Sequence, residues 1–215
     1  MIKSDQCLLV MGRRGCGKSY LAKKLQEIFP RKIIFDSLHE YGPEEGETVN
    51  SFLEFCEAIT RLDSMKPDHF TLIVKFDIES EVSLVEFDQM LKMSYYFGNV
   101  LVVIEEVQNF SNVHLIPHWL RNLLLTGRHQ NIAMLFTTQR PGELHKTILS
   151  QCQHIFCGNI VEGNDLRYIS SFLRQDAKNL VQLPERQFLY FGPHGISKIS
   201  NDLKTIQHSQ HTENT

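Results

Sequence analysis

The chain has no excess of basic residues. Its 22 lysines and arginines are outnumbered by 25 aspartates and glutamates, which gives a formal net charge of −3 at pH 7. A uniformly basic nucleic-acid-binding module is therefore excluded. The charge does not exclude DNA as a partner, but DNA would have to meet a local patch or an assembled ring.

Paired cysteines and long apolar runs are also missing. The five cysteines are odd in number and include no CxxC pair. This usage favours a reducing, intracellular compartment over a disulfide framework. No stretch approaches the roughly 20 apolar residues that a membrane span requires. The sequence thus predicts an intracellular protein with no membrane span.

Short apolar runs alternate with helical patterns along the 215 residues. This alternation predicts a doubly wound α/β fold with a mainly parallel sheet and flanking helices. We expect strands over residues 6–11, 32–36, 70–76, 99–105, 132–138 and 154–158, and a final pair near 187–192 and 195–199. We expect helices over 18–29, 51–64, 84–97, 115–126 and 164–182. Residues 1–200 should form one domain, with 37–50 an acidic connector and 201–215 a polar, flexible tail.

The strongest motif follows the first strand, where "GRRGCGKS" matches GxxxxGK[ST] at every fixed position. Its residues are Gly12, Arg13, Arg14, Gly15, Cys16, Gly17, Lys18 and Ser19. Between a strand and a helix this pattern predicts a P-loop, whose backbone N–H groups cradle the β-phosphate of ATP. Lys18 is expected to reach the β and γ oxygens, and Ser19 to ligate Mg²⁺.

A second motif, "NVLVVIEEVQ", places Glu105 and Glu106 at the end of an apolar strand. A Walker B element has this form, so we assign Glu105 to Mg²⁺ and Glu106 to activation of the attacking water. Magnesium positions usually carry aspartate, and glutamate is one methylene longer. Contact through a water molecule is therefore an alternative to direct ligation by Glu105.

Two polar positions flank the strand "IAMLFTT". If this strand lies beside both the P-loop strand and the Walker B strand, Gln139 emerges level with the γ-phosphate and acts as a sensor. Arg128 stands at a helix end, where it suits an arginine finger that reaches across a subunit boundary. The alternative for Arg128 is a solvated cation at a helix C-terminus. The following loop, with Arg140 and Lys146, is the expected DNA contact.

Together these motifs resemble the HerA/FtsK superfamily of ring-forming, DNA-pumping ATPases. The resemblance covers residues 5–200 and is most specific in "TGRHQNIAMLFTTQRP" followed by "LRYISSFL". The small size resembles the genome-packaging ATPases of membrane-containing icosahedral viruses. The resemblance implies a RecA-like core, a hexameric ring with ATP sites between subunits, and Arg128 acting in trans. It also implies double-stranded DNA in the ring pore, capsid-vertex proteins as partners, and a location in the host cytoplasm or on the virion.

The function predicted from these residues is an ATP-driven double-stranded DNA translocase that packages a viral genome into a preformed capsid. One alternative is a filamentous-phage-type assembly ATPase, although such proteins are normally membrane-anchored. Another is a small-molecule or nucleoside monophosphate kinase, which the P-loop would also suit. No arginine-rich lid segment is visible for the transferred phosphate of a kinase.

Overall fold

Seven parallel strands form the centre of the molecule. The computed structural model describes residues 5–75, 81–173 and 178–204. Within them one sheet has the strand order β3-β4-β2-β5-β6-β1-β7-β8-β9. Its strands are β1 (Cys7–Met11), β2 (Arg31–Phe35), β3 (Glu47–Val49), β4 (Phe70–Val74), β5 (Val100–Ile104), β6 (Ile132–Thr138), β7 (His154–Cys157), β8 (Gln187–Gly192) and β9 (Gly195–Ser200). The first seven pair in parallel, and β8 and β9 add an antiparallel hairpin at one edge.

Helices cover both faces of this sheet. They are α1 (Lys18–Gln26), α2 (Phe52–Met65), α3 (Glu81–Phe97), α4 (His118–Thr126), α5 (Lys146–Gln151), α6 (Gly163–Leu173) and α7 (Lys178–Val181). Leu8 and Val10 of β1 share a buried cluster with Leu21 of α1, whereas Leu9 belongs to a larger cluster with residues of α2 to α6. Neighbouring residues of a strand face opposite sides, so both sides of the sheet are dry. This explains why its central strands are apolar without alternation.

The position of β6 is the feature that matters for the site. It pairs with β1 on one side, Met11 opposite Thr138, and with β5 on the other, Ile104 opposite Phe136. The expected placement of this strand is confirmed. Because all three strands run in parallel, the residues that follow them meet at one edge of the sheet.

All the expected strands are present, with ends that differ by one or two residues. Three differences concern other segments. The acidic connector contains β3, whose three residues are too few to show a periodic pattern. The expected helix over 164–182 is α6 and α7, with residues 174–177 between them outside the described part. A short helix, α5, was not expected.

The structure describes the first four residues of the expected tail, 201–204, and Asn201 among them is 6% exposed. The prediction of a flexible tail for residues 205–215 lies outside the described residues. In the described ranges, no helix combines the length and apolar character needed to cross a membrane.

Candidate active site

The loop Gly12–Ser19 joins β1 to α1 and is fixed to the strands on either side. The N–H group of Gly12 donates to the carbonyl of Thr138 at the end of β6 over 3.2 Å. The N–H group of Arg13 donates to the carbonyl of Asn159, beyond β7, over 2.7 Å. The loop is therefore held by the sheet rather than by its own side chains.

Glycine is required in this loop for two reasons. At Gly12 the φ angle is 150°, and a Cβ there would lie 2.8 Å from the Sγ atom of Cys16 and 3.2 Å from the Cα atom of Gly158. At Gly17, immediately before α1, φ is 99°, which side-chain-bearing residues rarely adopt. Cys16 is 1% exposed, and burial raises the pKa of its thiol. This cysteine fills space beneath the loop.

A cavity of about 800 Å³ opens beside the loop. Its walls are formed by Arg14, Gly15, Gly17, Lys18, Ser19, Tyr20, Leu38, Glu40, Glu106, Gln139, Arg186, Asn201 and Asp202. The volume lies within the range of about 300–1,000 Å³ that is common for small-molecule sites. The sequence predicted the loop, Glu106 and Gln139 as parts of one site, and the structure brings them together here.

Lys18 supplies a cation at one end of the cavity. Its side chain is 6% exposed, and its Nζ atom lies 3.8 Å from the Oε1 atom of Glu106 and 3.5 Å from the carbonyl oxygen of Arg13. The positive end of the α1 dipole lies at the same place. A buried ammonium group beside a helix N-terminus favours an anionic ligand such as a phosphate.

The two carboxylates that follow β5 have different surroundings. Glu106 has φ 45° and ψ 61°, a left-handed conformation that is uncommon for residues other than glycine. The hydroxyl of Thr137 accepts a hydrogen bond from the N–H group of Glu106 over 2.9 Å and donates one to the Oε2 atom of Glu105. Glu106 lines the cavity, whereas Glu105 is 2% exposed and lies behind the cavity wall.

Three amide groups orient the side chain of Glu106. Its Oε2 atom accepts hydrogen bonds from the backbone N–H group of Gln139 over 2.9 Å and from the side chain of Gln108 over 2.7 Å. Its Oε1 atom accepts a hydrogen bond from the Nε2 atom of Gln139 over 2.9 Å. Gln139 is thus bound to Glu106 through both its backbone and its side chain.

Glu105 is held by hydroxyl groups on both of its oxygens. Besides Thr137, the phenol of Tyr41 donates to its Oε1 atom over 2.9 Å, and this phenol accepts a hydrogen bond from Gln26 over 2.7 Å. Burial raises the pKa of Glu105 to about 7, against the opposing effect of the two hydroxyl donors. Asp36 caps the turn that carries Tyr41, since its carboxylate accepts hydrogen bonds from the N–H groups at positions 40 and 41.

Residues 2–148 match the family model described as the AAA domain. The chain belongs to this family of P-loop NTPases. The match covers the loop before α1, the acidic pair after β5 and the strand that ends in Gln139. These segments supply Lys18, Glu106 and Gln139 to the cavity wall.

Two proteins of similar length that this chain resembles come from viruses, and a third comes from a bacterium. Protein P9 of Pseudoalteromonas phage PM2 is 24% identical over 189 residues, which cover 85% of this chain and 83% of P9. The genome-packaging NTPase B204 from Sulfolobus turreted icosahedral virus 2, solved with ATP-gammaS, is 21% identical with a TM-score of 0.72, over 92% of this chain and 98% of that one. VirB4 of Thermoanaerobacter pseudethanolicus has a TM-score of 0.60 at 12% identity, over 94% of this chain and 90% of that one. These likenesses confirm the predicted P-loop NTPase fold.

The cavity offers oxygen donors that suit Mg²⁺. Ser19 and Glu106 both lie on its wall, and the hydroxyl of Ser19 has no hydrogen-bond partner among the described residues. Those residues contain no group of three or more histidine, cysteine or acidic side chains that could hold a metal by themselves. Mg²⁺ commonly takes one or two protein oxygens and completes its shell with phosphates and water. The donors present fit an ion that arrives with a nucleotide.

Arg128 lies away from the cavity of its own chain. It is exposed in a 3₁₀ turn, Gly127–Gln130, just before β6. Arg128 thus precedes the amino end of β6, whereas the loop with Lys18 follows the carboxyl end of β1, which is parallel to β6. The length of β6, about 20 Å at the usual rise per residue, therefore separates Arg128 from the phosphate end of the cavity. Its predicted role across a subunit boundary is not tested by the single chain.

Arg140 differs from Lys146, with which the sequence grouped it. The guanidinium of Arg140 lies 3.2 Å from a carboxylate oxygen of Glu143, 3.5 Å from one of Glu162 and 3.9 Å from one of Asp165. Lys146 is exposed and forms no ion pair within the part of the chain that is described. Of the two, only Lys146 presents an uncompensated positive charge.

Sequence reasoning missed several residues on the cavity wall and behind it. Tyr41, which contacts Glu105 behind the wall, lies in the segment read as a connector. On the wall itself, Arg186, Asn201 and Asp202 lie at the open end of the β8–β9 hairpin. No local pattern distinguishes them. Only the position of β7 beside β1, which places the hairpin next to the P-loop, identifies the last three as site residues.

We predict that Glu105→Gln changes the pH dependence of stability. The pKa of Glu105 is raised from its ordinary 4.5 to about 7 in the folded protein. An acid whose pKa is higher in the folded than in the unfolded protein makes its full contribution to the free energy of unfolding below its ordinary pKa. This contribution is lost as the pH rises through about 7. The stability of the unsubstituted protein relative to Glu105→Gln should fall by up to about 1.4 kcal/mol per pH unit between those values.

The measurement is urea unfolding at a series of pH values in buffer that contains a chelator. Glu57→Gln, at an exposed position on α2, is the matched control and should show a difference that does not vary with pH. Parallel pH profiles for Glu105→Gln and the unsubstituted protein would contradict the assignment of the raised pKa to Glu105.

Proposed function

We propose that this P-loop NTPase is an ATP-driven double-stranded DNA translocase that packages a viral genome. The observation that carries the proposal is the convergence of Lys18, Glu106 and Gln139 on one cavity. A cation for the phosphates, a carboxylate for the attacking water and an amide between them are the parts that nucleotide hydrolysis requires. Their arrangement supports hydrolysis as the energy source of the motor.

The hydrolytic step follows from the contacts of Glu106. A triphosphate in the loop attracts Lys18 to its β and γ oxygens, and the lysine then gives up its 3.8 Å contact with Glu106. Gln139 and Gln108 keep the freed carboxylate in place. Glu106 accepts a proton from the water while the water oxygen forms a bond to the γ-phosphorus. The bond between the γ-phosphorus and the oxygen that bridges it to the β-phosphate breaks, and the nucleoside diphosphate leaves. The side-chain oxygen of Gln139 is available to orient that water.

Mg²⁺ would be held by Ser19, on the cavity wall. Glu105 would contact the ion through water, because Tyr41 and Thr137 hold its carboxylate behind that wall. When bound, the ion neutralises charge on the phosphate oxygens. Tyr41 and Thr137 fix the distance from which Glu105 acts.

One feature supports a ring in which subunits complete one another's sites. Arg128 is exposed and separated from its own cavity by the length of β6, so as an arginine finger it would serve the cavity of a neighbour. B204 is a genome-packaging NTPase, and this likeness supports packaging as the task of the motor. We therefore extend the proposal to a hexamer that threads DNA, with Lys146 as the DNA-facing cation and capsid-vertex proteins as partners.

We predict that Glu106→Gln separates nucleotide binding from turnover. The amide keeps the size of the side chain but cannot accept a proton, so turnover should fall by about 10²–10⁴-fold while ATP affinity survives. Lys18→Ala should abolish turnover with the fold intact, because it removes the cation that faces the phosphates. Steady-state phosphate release and equilibrium ATP binding measure the two effects.

Glu57→Gln is the matched control, since it makes the same chemical change on the exposed surface of α2. Its turnover should equal that of the unsubstituted protein. Normal turnover in Glu106→Gln would move the catalytic role to another group, with Glu105 the first candidate.

The DNA part of the proposal predicts that duplex DNA stimulates ATP hydrolysis. With a net charge of −3, a monomer should bind duplex weakly, and affinity should appear when several copies converge, with steep salt dependence. The slope of the logarithm of the binding constant against the logarithm of the salt concentration measures how many phosphates are neutralised. Lys146→Gln should reduce this salt slope by about one for each phosphate that the lysine no longer neutralises. Lys66→Gln removes another exposed lysine, at the end of α2, and should leave the slope unchanged.

ATP hydrolysis with and without duplex DNA, together with sedimentation of the same sample, tests this directly. Tight DNA binding by a sample that sediments as a monomer would count against the ring. Rapid phosphate transfer to a small acceptor, with no response to DNA, would favour a kinase instead.

We predict that Arg128→Ala and Lys18→Ala subunits complement each other. Each substitution alone should nearly abolish turnover, because an arginine finger commonly contributes about 10³-fold or more. In a mixed ring, an Arg128→Ala subunit still offers an intact P-loop and a Lys18→Ala subunit an intact finger, so some interfaces hold complete sites. Turnover should therefore reappear on mixing.

The control is Arg61→Ala, an exposed arginine on α2 that pairs with Glu47. Alone it should retain normal turnover. If subunits are shown to exchange and no mixing ratio restores activity, Arg128 is a helix-end cation and the finger lies elsewhere.

A further inference from the structure

The C-terminal hairpin closes the side of the cavity that faces away from Glu106 and Gln139. At its open end, the N–H group of Arg186 donates to the carbonyl of Cys16 over 3.0 Å, and the N–H group of Asn201 donates to the carbonyl of Arg186 over 2.9 Å. A methyl group built on Gly17 would lie 3.5 Å from the Cα atom of Arg186. The open end of the hairpin therefore contacts the P-loop through backbone atoms that are held by these hydrogen bonds.

The side chain of Asn201 is nearly buried in this wall but has no protein group to pair with among the described residues. It is 6% exposed and lines the cavity, with its Nδ2 atom 3.7 Å from a Cβ built on Gly17. Its amide has no hydrogen-bond partner in the described ranges. An amide carries both a donor and an acceptor, and this one lies on the wall of an open cavity. The amide is therefore suited to a ligand that presents a donor and an acceptor side by side.

Two neighbours of Asn201 complete this end of the cavity. Arg186 has φ 62°, lies on the cavity wall, and forms no ion pair within the described residues. Tyr20 donates a hydrogen bond to the Oδ1 atom of Asp202 over 2.8 Å, which leaves the second oxygen of that carboxylate for another donor. A planar cation, an amide and a carboxylate thus surround a space next to the first turn of α1.

We propose that Asn201 reads the edge of the nucleotide base and selects adenine over guanine; this inference rests on the proposed nucleotide hydrolysis. At the N6/N7 edge, adenine presents the 6-amino donor beside the N7 acceptor, which is the complement of an asparagine amide, and this is the edge that we assign to Asn201. Guanine presents a 6-oxo acceptor beside N7, another acceptor, so the amide oxygen has no donor to meet there. Arg186 covers the face of the base, since a guanidinium stacks on aromatic rings. Asp202 accepts from a ribose hydroxyl, as acidic residues do in other nucleotide sites.

The experiment compares equilibrium affinities for ATP, GTP and inorganic tripolyphosphate. The unsubstituted protein should prefer ATP to GTP by on the order of tenfold to a hundredfold, the range that one bidentate contact supplies. Asn201→Ala should lose most of this preference while its tripolyphosphate affinity is unchanged. Asn201→Asp should bind ATP more weakly than the unsubstituted protein, because a carboxylate cannot donate to N7.

Asn164→Asp makes the same chemical change at an exposed position on α6 and should keep the original preference. Tripolyphosphate binding serves as the test of an intact P-loop in each variant, and Arg186→Ala replaces Asn201→Asp if the latter does not fold. For Arg186→Ala, weaker binding of ATP with normal binding of tripolyphosphate is expected.

Equal affinity of the unsubstituted protein for ATP and GTP would overturn the inference, as would an unchanged preference in Asn201→Ala. Either result leaves the proposed hydrolysis intact, provided that tripolyphosphate binds. Failure of both ATP and tripolyphosphate to bind the unsubstituted protein would instead contradict the proposed function itself.

Discussion

One hydroxyl group, that of Thr137, fixes the two carboxylates on which the site depends. It accepts a hydrogen bond from the backbone of Glu106 and donates one to the side chain of Glu105. The left-handed turn at Glu106 then directs its carboxylate into the cavity, while that of Glu105 stays behind the wall. Strain of this kind persists only where surrounding contacts enforce it. A change of strand register at β6 would remove the hydroxyl and release both acids.

The strand order makes this contact possible. With β6 between β1 and β5, the P-loop, the acidic pair and Gln139 follow three adjacent parallel strands. Gln139 meets Glu106 directly after β6, and the next residue, Arg140, meets the carboxylates of Glu162 and Asp165 near the start of α6. The Gln-Arg pair at the end of a buried strand therefore makes two contacts, one with Glu106 and one with the carboxylates at the start of α6.

The parts of the site that could be predicted from the sequence are those whose chemistry requires a contiguous segment. The P-loop needs glycines at positive φ and a lysine at fixed spacing, and the apolar runs of β1, β5 and β6 need burial on both faces. Tyr41 and Asn201 could not be predicted in this way. Tyr41 reaches Glu105 from a segment 64 residues earlier, and Asn201 reaches the P-loop only because β7 and the hairpin lie beside β1. Likewise, the carboxylates that neutralise Arg140 come partly from α6, so its local sequence looks basic.

The cavity and Arg128 lie at opposite ends of the parallel strands, and this separation bears on the proposed assembly. The cavity follows the carboxyl ends of the strands and carries charges of both signs, among them Lys18 and Asp202. Arg128 lies at the amino end of β6. A head-to-tail contact brings the cation of one subunit to the cavity of the next, and repetition of that contact closes a ring when the rotation allows it. The proposed role of Arg128 and the proposed ring therefore rest on the same feature, the separation of Arg128 from its own cavity.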